Sequence, residues 1–156
     1  MNSSIAAMLE RVTSDPTDYE AAAKLRELIR PASVEQTTGG GEANAPGLSM
    51  TTDEYEEVLV SLLKAALTGQ GPNNAIMLVL QSTGDPRCEA LFAHVIGVWT
   101  GDITHDAAVL NALQGLLLIA HETGHSVLLT SAINHMMAQG TSLQKQEAEN
   151  ASGSPV

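Results

Sequence analysis

Residues 104–138 read THDAAVLNALQGLLLIAHETGHSVLLTSAINHMMA. Among Asp, Glu, Lys and Arg, only Asp106 and Glu122 occur between positions 103 and 138. A helix at a protein surface carries a polar face over about half its circumference, and this segment has none. Projected at about 100° per residue, Leu110, Leu113, Leu117, Leu128 and Ala132 fall on one side. Ile119, Leu129, Ile133 and Met137 fall on the other. The pattern predicts one long helix, capped at Thr104, with apolar residues on both sides. A small domain has difficulty covering both, so the expected remedy is burial between subunits. Leu110, Leu117, His121, Leu128 and Ala132 are the expected interface stripe.

Within this stretch His121-Glu122-Thr123-Gly124-His125 matches H-E-x-x-H. On a helix, positions i and i+4 share a face, so His121 and His125 would hold one metal ion and Glu122 would polarise a bound water. The ten residues LIAHETGHSV resemble the extended zincin pattern, with uncharged flanks and Gly before the second His. The resemblance implies zinc as cofactor, His121 and His125 as ligands and Glu122 as general base.

A catalytic zinc needs a third protein ligand. The metzincin spacing lands on Ser131, and the gluzincin-like spacing points to Glu147 or Glu149 in a polar tail. His135 would sit about 15 Å beyond His125 along a continuous helix. No sequence segment reads as the substrate-aligning strand that zincins share. The competing reading places His121, His125 and His135 within about 80° of one another on a core-facing side. There they would be hydrogen-bonded across a helix interface, or form a pH-sensitive seam between subunits.

Composition narrows the classes. The chain has 156 residues with one Trp, one Phe and two Tyr, so the core must come from Leu, Ala, Val, Ile and Met, a helical palette. Eighteen acidic residues against seven basic ones give a net charge of −11. Phosphate backbones and anionic headgroups repel such a chain, so no nucleic-acid or membrane partner is expected. The lone cysteine, Cys88, cannot form an internal disulfide and fits a reducing, cytoplasmic setting. It falls in the first turn of a helix, where a thiol pKa can drop, but no partner His or second Cys stands beside it. The N-terminus lacks the basic and apolar regions of a signal peptide, and the strongly apolar run 116–120 is too short to span a bilayer.

Outward from the long segment, an all-α small helical bundle is expected in four zones. Residues 1–30 carry two amphipathic stripes: Ile5, Met8, Leu9 and Val12, then Tyr19, Ala22, Leu25, Leu28 and Ile29. Asp15-Pro16 separates the stripes and Pro31 ends the second. This arm must dock on the body or on a protein partner. Residues 31–50, with Gly39-Gly40-Gly41 and two prolines, read as a flexible linker without the Lys of a phosphate loop. The body is 51–138. Thr51 or Asp53 caps a helix carrying Tyr55, Val58, Leu59, Leu62, Leu63 and Ala66, with Gly69 at its end. Pro72 starts a short helix to Leu80, and Asp85-Pro86 opens one carrying Leu91, Phe92, Val95, Ile96 and Trp99, which Gly101 closes. Residues 139–156, polar and short of large apolar side chains, read as a disordered tail.

The functional expectation is a non-enzymatic helical assembly, scaffolding or chaperone-like protein. It would act as a homo-oligomer and through a protein partner for its N-terminal arm, without a cofactor. The alternative is a minimal zinc metallopeptidase using His121, Glu122 and His125.

Overall fold

Local capping chemistry sets the helix boundaries in the computed structural model, which describes residues 2–29, 50–69 and 71–153. The expected linker at 31–50 lies outside the described residues apart from Met50. Among the described residues there are eight α-helices, two short 3-10 turns and no strand, so the fold is all-α as expected. The helices are α1 (Ser3–Ser14), α2 (Tyr19–Leu28), α3 (Thr52–Thr68), α4 (Asn74–Leu80), α5 (Glu89–Trp99), α6 (Asp106–Thr123), α7 (Val127–Gln139) and α8 (Ser142–Ser152).

Thr51 and Glu54 form the expected capping box at the start of α3: the Glu54 amide donates to Thr51 Oγ1 at 3.1 Å and the Thr51 amide to Glu54 Oε1 at 3.0 Å. Glu54 Oε2 also accepts from the Asn2 amide at 2.8 Å, so one carboxylate joins the N-termini of α1 and α3. At the other end of α1, Asn73 Nδ2 donates to the Val12 carbonyl at 2.9 Å while its Oδ1 caps α4 through the Ile76 amide. These joints hold the N-terminal arm to the body. Ile5, Val12, Ala21, Ala22, Leu25 and Ile29 are buried in one core with Val58, Leu62, Ile76 and Leu80. The inner face of the arm is therefore satisfied by its own chain.

The expected single helix over 104–138 is two. Asp102, not Thr104, caps a 3-10 turn (Ile103–His105), and α6 starts at Asp106. It ends at Gly124, whose φ of 90° lies in the left-handed region that closes helices and favours glycine. Thr123 Oγ1 donates to the carbonyls of Ile119 and His125, both at 2.7 Å, and spans the break. Helix α7 then starts after Ser126, whose hydroxyl bonds Glu89 of α5. Folding the segment back on itself resolves the excess of apolar surface. Helix α6 is the central element, packed by α4, α5, α7 and α8, and it buries Val109, Leu113, Leu116 and Ile119. The stretch Ile103–Thr123 is long and apolar enough to cross a membrane by length and composition, with mean hydropathy 1.4, contrary to the expectation that no such segment exists. Here 44% of its apolar window is buried within the chain.

The expectation of a disordered tail fails over Ser142–Ser152. Helix α8 has its own capping box, Thr141 with Gln144, and packs on α6 and α7. Gln144 is completely buried. Its Oε1 accepts from the Gly101 amide at 2.8 Å and the Thr141 amide at 3.1 Å, and its Nε2 donates to Asp106 Oδ1 at 2.6 Å. Asp106 also accepts from Thr141 Oγ1, so this polar knot locks α8 to both ends of the 99–106 turn.

A second polar group joins α3 to the 3-10 turn Pro86–Cys88. Tyr55 donates its hydroxyl to Asp85 at 2.8 Å, and Arg87 forks onto Glu56 at 2.7 and 2.9 Å and onto Asp85 at 2.8 Å. Burial works to raise the Asp85 pKa, but the bonds from Arg87 and Tyr55 win and hold it below the usual carboxylate value. Bonds from Arg87 lower Glu56, and bonds from the backbone amides of Thr51 and Asn2 lower Glu54. Burial, then the Asp85 bond, raises the Tyr55 hydroxyl, while burial pushes the Cys88 thiol up to about 11.

The linkage has two signs. Lowered carboxylates contribute stability above their unfolded values near about 4, lost as pH falls through the folded ones. Raised Cys88 and Tyr55 contribute stability below their unfolded values, lost as pH rises through the folded ones. The thermal midpoint should therefore be flat near neutrality and fall at both extremes. Tyr55→Phe should remove part of the alkaline loss; an unchanged alkaline limb would contradict the assignment to that hydroxyl.

Candidate interaction groove

The H-E-x-x-H residues, which the alternative metallopeptidase reading uses, are divided between the end of α6 and the connection to α7. His121 and Glu122 are in the last turn of α6, while His125 lies beyond the left-handed Gly124, so the two imidazoles do not occupy i and i+4 of one helix. All three side chains are exposed. The Glu122 side chain lies against the turn after α4, where a Cβ built on Gly84 would come within 3.1 Å of Glu122 Cγ. Among the described residues no group of three or more His, Cys, Asp or Glu is placed to hold a metal ion. Glu147 and Glu149 sit on α8, and His135 is half-buried on α7. Within one chain His121 and His125 are exposed rather than hydrogen-bonded across a helix interface.

The expected interface stripe is dispersed by the same break. Leu110 and Leu117 of α6 are half-buried against the core, Ala132 of α7 is buried, Leu128 is half-buried and His121 is exposed. Other single residues have structural roles. Cys88 is fully buried, 3.8 Å from Thr83 Oγ1, and its raised pKa opposes a reactive thiolate. His105 stacks on Trp99 with ring centroids 4.4 Å apart and 7° between planes, 3.3 Å from Asp102.

The concavity with a consistent lining lies between α1 and α3. It has a volume of about 470 Å³ and is lined by Ala6, Leu9, Glu10 and Thr13 from α1 and Ser61, Lys64, Ala65 and Thr68 from α3. Both sets follow i, i+3, i+4, i+7, so each helix presents one face to the groove. The Asn2–Glu54 joint starts both helices at one end, and these two faces show that they run in the same general direction. Six of the eight lining residues are Ala, Ser, Thr or Leu, which leaves room for close approach by another element. Next to the groove, Val60 and Leu67 stand 57% exposed on α3, with Lys64 between them at helical spacing. This surface escaped the sequence reading because α1 and α3 are almost forty residues apart and each looks like an ordinary amphipathic helix. The available signal was Val60 and Leu67, apolar residues off the core stripe of α3.

No family model, no curated protein and no solved structure matches this chain.

Proposed function

We propose that this chain is a non-enzymatic helical assembly or scaffolding module that works by self-association and by docking partner proteins. The observation that carries the reading is the open, mostly apolar groove between α1 and α3, flanked by exposed Val60 and Leu67. Apolar side chains left beside a concave helical face favour helix-in-groove recognition. The lining offers one carboxylate and one ammonium group, a set suited to orientation of a partner rather than to acid–base chemistry. The net charge of −11 favours protein surfaces over nucleic acid or anionic lipid. A setting in the cytoplasm belongs to the same proposal and agrees with the single buried thiol.

Light scattering after size exclusion, beside metal analysis of the same sample, tests this. The expected mass exceeds the 16.3 kDa of one chain in the micromolar range, with zinc well below one per chain. His121→Ala should change stability by less than about 0.5 kcal/mol, as for exposed sites without a special role. Stoichiometric zinc that survives dialysis, with peptide hydrolysis abolished by Glu122→Gln, would overturn the proposal in favour of a metallopeptidase.

A further inference from the structure

We infer that the α1–α3 face is the self-association surface, and that its occupant is the same face of a second copy, paired about a two-fold axis that runs along the groove. The inference rests on the self-association reading above and assigns its site. Its basis is charge self-complementarity. Glu10 projects into the groove from α1 and Lys64 from α3, and neither takes part in an ion pair within the chain among the described residues. Both helices start at the Asn2–Glu54 joint. At a rise of about 1.5 Å per residue, Glu10 lies about 12 Å beyond that joint and Lys64 about 15 Å, within one helical turn of the same level.

This levelness selects the symmetry. An axis across the groove would set α1 on α1 and Glu10 opposite Glu10. An axis along the groove sets α1 of each copy on α3 of the other, in parallel, and brings Glu10 opposite Lys64 twice. That is the reciprocal pairing an isologous interface requires. The same rotation lays Val60 and Leu67 of one copy over the small residues of α1 in the other, Ala6 near Val60 and Thr13 near Leu67. The apolar contact supplies adhesion, and the two ion pairs fix register and direction. The chain segment at 30–49 is a poorer occupant, since Val34 and Leu48 are its only large apolar residues.

Charge reversal in the full-length chain tests the arrangement, with sedimentation velocity as readout. Glu10→Lys alone and Lys64→Glu alone should each weaken association on the order of tenfold or more, because each removes two pairs and creates two like-charge contacts. The double reversal should restore it to near the parental level. Both residues are at the surface, so circular dichroism and thermal midpoints should stay close to parental and separate misfolding from dissociation. If the parent associates and neither single reversal weakens it, or the double reversal does not rescue, the surface assignment falls while self-association stands. If the parent is monomeric throughout the micromolar range, the self-association reading falls with it.

Discussion

Gly115→Ala should destabilise the protein, although helix propensity alone predicts the reverse. Alanine in place of glycine inside a helix is worth roughly 0.8–1 kcal/mol. Gly115 sits in the middle of α6 where α5 crosses it, and a Cβ there would lie 2.2 Å from Phe92 Cε2 and 2.5 Å from Cζ. Phe92 is only 1% exposed, so its ring is enclosed by the core. Overpacking a core costs about 1–3 kcal/mol, and a 2.2 Å approach belongs at the upper end, so after the propensity gain the net change should be a loss of about 2 kcal/mol. For a chain of this size that lowers the thermal midpoint by about 4–8 °C. Phe92→Leu should make room, so the double variant should be more stable than the two single losses predict. An unchanged or raised midpoint for Gly115→Ala would mean that α5 and α6 do not meet at this glycine.

Gln144→Ala should be more damaging still. It strips the acceptor from the part-buried Gly101 and Thr141 amides and the donor from Asp106. Because water can reach these part-buried partners, the lost bonds cost less than the full burial penalty, and with the void left by the fully buried side chain the total should be on the order of 3 kcal/mol. Urea unfolding would register this as a lower midpoint. Gln144→Glu separates the contributions. It keeps an acceptor for the two amides but places a second carboxylate against Asp106 and removes the donor, so it should be destabilised at neutral pH and recover as acid protonates the introduced carboxyl, which then donates again. A Gln144→Ala protein with parental stability would show that α8 is not locked onto the 99–106 turn.

The failure over α8 shows what the sequence withheld. Residues 139–156 contain few large apolar side chains, the residues whose periodicity signals a buried face. The helix packs instead through Ala148, Ala151 and a polar Gln144 whose bonds are all made inside the fold. The Thr141-x-x-Gln144 capping signature was present but stood before no apolar run. The break at Gly124 was concealed differently. Apolar residues continue on both sides of it, and periodicity carries no information about a single left-handed residue. Gly124 followed by Ser126 is nonetheless a helix stop and start in succession. Where capping and burial agreed, as at Thr51, Glu54, Val58, Leu62 and Gly69, the reading and the structure coincide. The groove depends on how α1 and α3 are brought together by Glu54 and Asn73, which no local pattern records.

Hydrogen exchange followed at low and high protein concentration tests the central claim, that this chain associates through α1 and α3. Added protection at high concentration should be confined to Ser3–Ser14 and Thr52–Thr68, leaving α6 and α7 unchanged because neighbouring helices of the same chain already cover them. Concentration-dependent protection in α6 and α7 instead, or none anywhere, would contradict the account.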